Sequence, residues 1–545
     1  MLARIRWALF SFLYLFLLLQ SCLGKGVPIK KDVVVVGAGL AGLAAARKLA
    51  LHNISCAVFE ASDRVGGRTR NWDTKTGNYD TITKDVVEIG GTFISPSHTS
   101  LIRLGKALGF ETYNVSLNAK YRLREQSLNR AKSDINVNEP AKTWPWWWWG
   151  EDFDIKNNSR SLKSVFHSYK GTFEFSSPDE LLNKLDQDTV EDLHSVGIAM
   201  DEATQSLKSC ESISEPGWED YDAITFEGWI RSHTKHEESR VILRNMCRGM
   251  IASEPAQVSF LSIVKSMKGC WSEGDDDQYR LKGGSQAITL QIQKNNLFPI
   301  KLNTPVDKIV RDENTGLFAI NEGEVEAKYV IVTGTPAAIA KITFIPLLDH
   351  NNIQLLQRMP MGQSMKFFVV YDTAWWRKES HYEGGIYASK MPSSINFPYP
   401  FSCQDHRPYS DTRGALMCWI EGNVNLHFLN SLSEDERKQV VLDFINISFK
   451  TDTSKAYEPV LFQQFNWADQ PHIYGAYTGF FMPGIQHVDE FWHCLANNYG
   501  EKTPKYPNLW FAGADYWTGI GNGYMEGAVR HGETVADEII ARLRV

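Results

Sequence analysis

Several features that would place this chain in a specialised class are scarce in its sequence. It has only eight cysteines in 545 residues, too few for a dense disulfide scaffold. Its 57 Lys and Arg residues are outnumbered by 64 Asp and Glu, and a net charge of −7 without a basic block argues against nucleic-acid binding. With 40 Gly and 21 Pro, the chain is neither fibrous nor of low complexity. The composition is that of a folded protein whose length suggests roughly three to four domain-sized units.

A long hydrophobic run occurs only near the N-terminus. Arg4 and Arg6 precede the apolar stretch Trp7–Leu19, and the small residues of Ser21–Gly24 follow it. This stretch is shorter than the roughly 20 apolar residues that span a bilayer, so it indicates a cleaved signal peptide over residues 1–24 rather than an anchor. We therefore expect a secreted or lumenal protein without a transmembrane segment after cleavage.

Entry into the secretory pathway would make the Asn-X-Ser triplets of the chain sites for N-glycosylation. Four such triplets begin at Asn53, Asn114, Asn157 and Asn446. Asn157 lies in a polar stretch and is the strongest of these candidates. Asn53, between a predicted helix and a predicted strand, is a weaker one.

The predicted export also affects which cysteines remain in the mature chain and can pair. Removal of Cys22 with the signal peptide leaves seven cysteines, so at least one stays unpaired. Cys56 opens a predicted buried strand and suits a core thiol. The sequence leaves open which of the others pair, and the candidates are Cys210 with Cys247 or Cys270, and Cys403 with Cys418.

The strongest functional signal is a βαβ unit built around a glycine motif. Asp32–Val36 is a β-branched run typical of a strand buried on both faces, and it leads into Gly-Ala-Gly-Leu-Ala-Gly and a helical stretch. Gly37 permits the tight turn, Gly39 lets the backbone approach a pyrophosphate, and Gly42 lets the helix pack on the strand. The free N–H groups of the helix N-terminus suit phosphates. Glu60 lies 18 residues after Gly42 and can bind ribose hydroxyls, so the unit predicts a dinucleotide site.

The segment that follows identifies the dinucleotide. Arg64-Val-Gly-Gly67-Arg68 places arginines that can pair with phosphate beside glycines that let the backbone lie against a flat ring. A second glycine pair occurs in Gly90-Gly91-Thr92. Gly-Gly-Arg after an acidic ribose residue resembles the FAD-dependent amine oxidase family, which includes monoamine oxidases, polyamine oxidases and the more distant L-amino-acid oxidases. The FAD contacts expected from these two segments are Arg64, Gly67, Arg68, Gly90, Gly91 and Thr92.

The resemblance extends along the whole mature chain. In relatives the backbone of the valine at Val306 contacts adenine, and Phe511–Asp515 together with Gly523–Ala528 resembles the C-terminal flavin signature. The resemblance implies that Asp515, usually Glu in the family, lies near the ribityl or pyrophosphate region. It also implies that backbone N–H groups at Met525 face the pyrimidine edge of the flavin.

The positions of these motifs change the domain count. They lie at 37–92, 283–336 and 511–528, so one FAD domain must be assembled from separated pieces. The resemblance implies an α/β fold with a Rossmann-type FAD-binding domain and an interleaved α+β substrate domain of mixed sheet and helices. The expected ranges are a FAD-binding domain over 25–96, 253–336 and 472–545, and a substrate-binding domain with a helical cap over 97–252 and 337–471.

Three residues are expected to act on the amine or on oxygen. A tyrosine is more often a core residue, but Tyr477 and Tyr524 both fall in flavin-facing motifs and match the family's pair of cage tyrosines. Lys366 interrupts an apolar strand, where a solvated lysine is unexpected. It aligns with the family's lysine that reaches a water near the flavin N5. The resemblance therefore implies that the tyrosines orient a neutral amine and that Lys366 assists reoxidation by oxygen.

Two departures from relatives refine the expected chemistry. Ala476 stands where a cysteine of the mitochondrial monoamine oxidases bonds the flavin, so we expect non-covalent FAD. L-amino-acid oxidases use an arginine shortly after the second glycine pair, whereas this chain has none between Gly91 and Arg103. The expected reaction is oxidative deamination of a primary or secondary amine by oxygen to an aldehyde, ammonia and hydrogen peroxide.

Other interpretations of the sequence stay open. The chain could be a polyamine or L-amino-acid oxidase, or a catalytically silent FAD-binding protein that interacts through the tryptophan cluster Trp144–Trp149. Packing beneath a surface insertion is the simpler account of that cluster. No metal-binding or nucleophilic hydrolase motif occurs, so no metal site is expected. The expected partners are a small amine and oxygen, and a homodimer is left open.

Overall fold

The computed structural model describes residues 29–115, 163–176, 178–208, 217–268, 278–380, 382–410, 412–422, 428, 431–449, 454–488 and 506–544. The predicted signal peptide, the Trp144–Trp149 cluster, the sequon at Asn157, and Cys210 and Cys270 lie outside these residues. The expectations that rest on them therefore stay predictions.

The secondary structure follows the α/β pattern expected from the sequence. The strands are β1 Ile29–Val36, β2 Cys56–Phe59, β3 Asn71–Asp73, β4 Val86–Glu88, β5 Thr112–Asn114, β6 Lys163–Ser168, β7 Gly171–Phe175, β8 Tyr279–Leu281, β9 Ile300–Lys301, β10 Lys308–Arg311, β11 Phe318–Ile320, β12 Val325–Val332, β13 Thr343–Ile345, β14 Ser364–Tyr371, β15 Tyr382–Ala388, β16 Ser402–Asp405, β17 Gly414–Glu421, β18 Leu461–Asn466 and β19 Leu509–Phe511. The helices are α1 Leu40–Leu51, α2 Thr99–Ala107, α3 Pro178–Leu182, α4 Gln187–Ser206, α5 Trp218–Asp222, α6 Phe226–His233, α7 Glu237–Ile251, α8 Phe260–Met267, α9 Ala287–Asn295, α10 Pro336–Ile339, α11 His350–Gln357, α12 Trp375–Ser380, α13 Glu434–Ser448 and α14 Met525–Leu543.

The first sheet forms the nucleotide-binding layer. Its strand order is β13-β10-β11-β12-β1-β2-β9, with β19 beside β12. The strands β19, β12, β1 and β2 pair in parallel, so segments near residues 30, 330 and 510 lie side by side. Val33, Val34 and Val35 are fully buried, as expected for a parallel strand covered on both faces. The separated flavin motifs therefore converge on one sheet.

The second sheet forms a wall of the substrate region. Its strand order is β18-β14-β17-β16-β15-β6-β7. Its strands pair antiparallel, as the sequence predicts for 337–471, except that β15 and β6 pair in parallel. β6 and β7 come from the range 97–252, where the sequence pattern favours helices. Every residue of β14 is buried, and α13 covers the face of the sheet that lies away from the nucleotide layer.

The helices of residues 178–268 pack together as a cap, and this cap includes α8, which the sequence analysis assigns to the FAD-binding range 253–336. Their apolar faces meet in one cluster that includes Trp218, Phe226, Trp229 and Phe260. α1 and α14 instead cover the nucleotide sheet, and Gly532 lets them approach closely because a Cβ there would lie 2.2 Å from the backbone oxygen of Ala41. Within the described residues, no helix is long and apolar enough to cross a membrane.

The cysteines confirm part of the predicted pairing. Cys403 and Cys418 form a disulfide between β16 and β17, where they lie directly opposite each other. Cys56 is a buried free thiol, as expected. The suggested pairing of Cys247 with Cys210 is wrong, because Cys247 is free and fully buried on the inner face of α7.

Candidate active site

A continuous cavity of about 1120 Å³ extends between the two sheets. One end is lined by the glycine motif after β1 and by Glu60, and is called here the nucleotide end. The other end is lined by side chains of β14, β17 and the cap helices, and is called the amine end. Lys366 of β14 meets the second glycine pair, Gly90–Gly91, which also lines the cavity.

The glycine motif has the geometry that its spacing predicts. Gly37 has a φ of +101°, which permits the turn into α1. A Cβ at Gly42 would lie 2.0 Å from the backbone oxygen of Gly37, so only glycine allows α1 to pack here. A Cβ at Gly39 would meet only the Cα of Gly67, at 4.0 Å, and both residues line the cavity. The space beside Gly39 is therefore open to a pyrophosphate.

Glu60 is fixed at the end of β2 beside this motif. One carboxylate oxygen accepts a hydrogen bond from the backbone N–H of Ala38 at 2.6 Å, and the other accepts from Ser62. The oxygen that accepts from Ala38 keeps a second lone pair, and the residue lines the cavity. Val306 lines the same end. This arrangement suits a ribose with free hydroxyls next to an adenine.

The two predicted phosphate-binding arginines occupy different positions. Arg68 lines the cavity and forms a two-pronged ion pair with the buried carboxylate of Asp515. The Arg64 guanidinium instead donates to backbone oxygens of its own loop, at Gly67 and Thr69, and is not among the cavity-lining residues. In the described structure Arg64 braces its own loop, and its contact with a phosphate stays a prediction.

Asp515 acts behind the cavity wall rather than in it. Its carboxylate accepts from Arg68, from the Thr478 hydroxyl at 2.8 Å and from the Gly479 N–H at 2.7 Å. Burial raises the pKa of Asp515, but Arg68 and these hydrogen bonds outweigh burial and hold it below its usual value. Since Arg68 also donates to the backbone oxygen of Tyr477 at 2.8 Å, Asp515 reaches the cavity through Arg68. Its neighbours Gly513 and Ala514 line the cavity, and a position near the ribityl or pyrophosphate region stays a prediction.

The second glycine pair lies against the start of α14. A Cβ at Gly90 would lie 2.0 Å from the backbone oxygen of Arg68, and one at Gly91 would lie 3.2 Å from the Met525 side chain. Gly90, Gly91, Thr92 and Met525 all line the cavity. The sequence-predicted residues of both flavin motifs are thus brought together, with N–H groups at the N-terminus of α14 beside them.

Lys366 is buried, as its apolar strand context suggests. It lies on β14, with 6% of its surface exposed. Its ammonium donates to the backbone oxygen of Gly90 at 2.8 Å and to the Thr92 hydroxyl at 3.5 Å. The lysine therefore places a cation directly over the second glycine pair, in the wall of the cavity.

The two predicted cage tyrosines line the same cavity. Tyr477 follows β18 in sequence, and its hydroxyl donates to the carboxyl of Glu421. Tyr524 precedes the first residue of α14, and its ring centroid lies 5.2 Å from that of His98. Two segments 47 residues apart thus supply the aromatic faces expected of an amine site.

Glu421 is a site residue that our sequence reasoning missed. It ends the apolar strand β17 and is 9% exposed. Burial raises its pKa to about 8, although the hydrogen bond from Tyr477 and the charges of Lys366 and Arg248 act in the opposite direction. An acid at the end of an otherwise apolar strand was the available signal. What the sequence could not show is that this acid meets Tyr477.

The amine end is mostly apolar, although Ser266 and Lys268 at the end of α8 also line the cavity. Its walls include Phe93, Met250, Tyr387, Met417 and Trp419. Among the described residues, the carboxylates that line the cavity are at the nucleotide end. The amine end therefore suits a largely apolar ligand that brings no further cation.

Behind this wall lies a buried ionic cluster. The fully buried Arg280 forms an ion pair with Glu88, and His406 lies beside the same carboxylate. Burial and the charge of Arg280 lower the pKa of His406 to about 3, so the imidazole is neutral. Glu88 ends β4 directly before the second glycine pair, so the cluster supports the loop that Lys366 contacts.

Comparison with known proteins agrees with this geometry. The profile of the family described as flavin containing amine oxidoreductase matches residues 40–540. The chain is 27% identical to amine oxidase [flavin-containing] A of Equus caballus over 520 residues, covering 94% of this chain and 85% of the relative. It is 26% identical to the probable flavin-containing monoamine oxidase A of Dictyostelium discoideum over 528 residues, covering 94% of this chain and 98% of the relative.

Solved structures share the fold. The putrescine oxidase structure with putrescine bound superposes with a TM-score of 0.72 at 25% identity, covering 94% of this chain and all of that chain. Cyclohexylamine oxidase from Brevibacterium oxydans superposes with a TM-score of 0.73 at 23% identity and the same coverage. The cavity residues fit FAD, because the backbone at Gly39 and Gly67 is open to phosphates and Glu60 to a ribose. This chain belongs to the flavin-containing amine oxidoreductase family and is an FAD-dependent amine oxidase.

Proposed function

We propose that the enzyme oxidises apolar primary or secondary monoamines. For a primary amine, R–CH2–NH2, oxygen and water would give an aldehyde, ammonia and hydrogen peroxide. The observation that carries the proposal is that Lys366, Tyr477 and Tyr524 line one cavity with the FAD-binding glycines. When bound, FAD takes two electrons from the amine and passes them to oxygen.

The residues of the amine end would bind and orient the substrate. The aromatic faces of Tyr477 and Tyr524 border the approach to the second glycine pair and would hold the α-carbon of a neutral amine there. The apolar walls exclude water and disfavour the ammonium form. The Lys366 cation, held over Gly90, would stabilise the negative charge that develops on oxygen as it takes up electrons.

The polarity of the amine end supports a monoamine over the two related substrate classes. A polyamine carries further cations, and the carboxylates that line the described cavity are at the nucleotide end. An amino acid carries a carboxylate, and the segment between Gly91 and Arg103 has no arginine to bind it, while the lining arginine Arg68 is paired with Asp515. Burying either charge without a partner is costly.

An amine panel tests this proposal. We expect 2-phenylethylamine and hexylamine to release hydrogen peroxide from the purified holoenzyme, with at least about tenfold higher kcat/KM than putrescine, spermidine or L-phenylalanine. A preference for putrescine would make the enzyme a diamine oxidase instead. Absence of turnover on every amine would favour a silent FAD-binding protein.

We also propose that the FAD is held without a covalent bond. Ala476 stands at the position of the linking cysteine, directly before Tyr477 in the cavity wall. Precipitation with trichloroacetic acid should leave the flavin in the supernatant. Flavin that remains in the protein pellet would contradict this proposal.

Secretion is a further part of the proposal. It is supported by the apolar N-terminal stretch, by the disulfide between Cys403 and Cys418, and by the exposure of the sequons at Asn53 and Asn114. Expression in a eukaryotic cell should yield enzyme in the medium that starts near Lys25 and loses mass on glycosidase treatment. Protein that stays in the cytosol with an intact N-terminus would exclude secretion.

A further inference from the structure

The cage tyrosine Tyr477 is held at both of its ends. Its backbone oxygen accepts from Arg68, which is itself fixed by Asp515, and its hydroxyl donates to Glu421. We infer that Glu421 is a positioning residue for amine oxidation, whose carboxyl group holds the Tyr477 hydroxyl and so fixes the ring in the wall of the amine end. This inference rests on the proposed function and adds a residue to it.

The second sheet places Glu421 within the site. In the antiparallel pair of β14 and β17, Ser364 lies opposite Glu421 and Lys366 lies opposite Trp419. Directly opposed residues share a face of the sheet, and so do residues two apart on one strand. Glu421 therefore projects from the face that carries Lys366 and Trp419, both of which line the cavity.

Glu421 is also enclosed from the side of the cap. Its second carboxyl oxygen lies 4.0 Å from the position that a Cβ of Gly249 would take, and Gly249 itself lines the cavity. With only 9% of its surface exposed, Glu421 is held between α7 and the Tyr477 loop. A side chain packed in this way can hold a hydroxyl in one orientation.

The Glu421 carboxyl group accepts the hydrogen bond of Tyr477 in its neutral, protonated form. The groups that face it are the Tyr477 hydroxyl, Lys366 from β14 and Arg248 from α7, and Arg248 is already paired with Glu254. Because burial outweighs their effect, the acid keeps its proton at neutral pH. The carbonyl oxygen of a protonated carboxyl accepts from a tyrosine hydroxyl just as the amide oxygen of Gln does.

This chemistry defines a set of variants. Glu421→Leu removes the acceptor, Glu421→Gln keeps it without an ionisable proton, and Tyr477→Phe removes the donor. The double variant Glu421→Leu/Tyr477→Phe tests whether the two groups act as one unit. Glu238→Leu is a matched control, because Glu238 is also buried and accepts from a hydroxyl, but its partner Ser389 does not line the described cavity, whereas Tyr477 does.

The first measurement is anaerobic flavin reduction by saturating 2-phenylethylamine in a stopped-flow instrument. We expect Glu421→Leu and Tyr477→Phe each to slow reduction about three- to tenfold, and the double variant to be no slower than either. Glu421→Gln should stay within about twofold of the parent enzyme, as should Glu238→Leu. A parent-like rate in Glu421→Leu, or multiplied effects in the double variant, would overturn the inference.

The second measurement needs no amine. The visible absorption and circular dichroism of the resting flavin report on the aromatic ring beside it, so Glu421→Leu should shift both spectra in the direction that Tyr477→Phe does. Glu421→Gln and Glu238→Leu should leave the spectra unchanged, although Glu238→Leu lowers the melting temperature. Unchanged spectra in Glu421→Leu would contradict the inference even if no amine proved to be a substrate, which separates its failure from that of the proposed function.

Discussion

The two ends of the cavity are lined by different parts of the chain, one mainly by backbone and the other mainly by side chains. The nucleotide end is mostly backbone, supplied by glycines close together in sequence at 37–42 and 66–67. The amine end is mostly side chain. Its tyrosines and lysine come from segments at 366, 477 and 524, and Glu421 bonds Tyr477. Backbone sites depend on the absence of side chains, whereas side-chain sites depend on packing that holds each group. The two ends should therefore respond differently to substitution.

The largest effect is expected at the nucleotide end. Gly42→Ala should prevent stable folding with FAD, because the added Cβ would lie 2.0 Å from the backbone oxygen of Gly37. Gly39→Ala should fold, since its Cβ has room in the protein, but should retain FAD at least about tenfold more weakly. Thermal unfolding and flavin content of both variants measure the difference. If both variants lost stability and flavin to the same extent, Gly42 and Gly39 would not serve separate purposes, one in helix packing and the other in leaving space for FAD.

The next largest effect is expected at the ion pair of Arg68 and Asp515, where the two ends of the cavity meet. Arg68→Leu leaves the Asp515 carboxylate buried without its ion-pair partner and should lower the free energy of unfolding by about 3–5 kcal/mol. The double variant Arg68→Leu/Asp515→Leu should recover part of this loss. Urea denaturation at pH 7 measures both. Because Asp515 has a lowered pKa, its contribution is present above the pKa of the unfolded chain and is lost on acidification.

A kinetic prediction concerns Lys366 at the amine end. Lys366→Met should slow reoxidation of the reduced enzyme by oxygen about tenfold to a hundredfold, because the cation over Gly90 is lost. Anaerobic reduction by the amine should change far less. Stopped-flow absorbance of the flavin measures each step separately. Equal slowing of both steps would mean that the lysine supports the loop rather than the reaction with oxygen.

The smallest effects are opposite pH dependences of stability at the two ends. Burial lowers the pKa of His531, beside Gly513, to about 4, so stability should fall as pH drops from about 6.5 because only the unfolded chain takes up the proton. Glu421, with a pKa raised to about 8, binds its proton more tightly when folded, so its contribution is lost as pH rises from about 4.5 to 8.

Two conservative variants separate these pH dependences. His531→Gln should flatten the acidic side of the stability profile, and Glu421→Gln should flatten the neutral to alkaline side. Urea denaturation between pH 5 and pH 8.5 gives both profiles. If the stability profile of either variant runs parallel to that of the parent protein over the pH range given for it, the replaced side chain does not titrate as described.

The nucleotide end could be predicted almost residue by residue. The glycines and Glu60 lie in one local βαβ unit, whose turn and helix terminus depend on neighbours in sequence. The sequence did not indicate that Arg64 braces its own loop, or that Asp515 contacts the cavity wall through Arg68 and Thr478. Both arginines have the same charge in sequence, and only the folded loop decides which one faces the cavity.

The amine end could be predicted only through resemblance. Lys366, Tyr477 and Tyr524 were recognisable from motifs, but Glu421 carried no motif, and the pairing of Cys403 with Cys418 could only be suggested. These relations depend on the register of β14, β16 and β17, which sets Glu421 opposite Ser364 and Cys403 opposite Cys418. Strand register over such distances depends on the packing of the whole sheet.

The sequence by itself determined the family, the dinucleotide unit and the chemical class of the reaction, because these depend on short motifs whose geometry is local. The tertiary structure decided that the three separated flavin segments meet on one sheet and that Tyr477 is held by Arg68 and Glu421. It also decided that Glu421 is a buried neutral acid rather than a surface charge, because burial is a property of the surrounding packing and not of the residue.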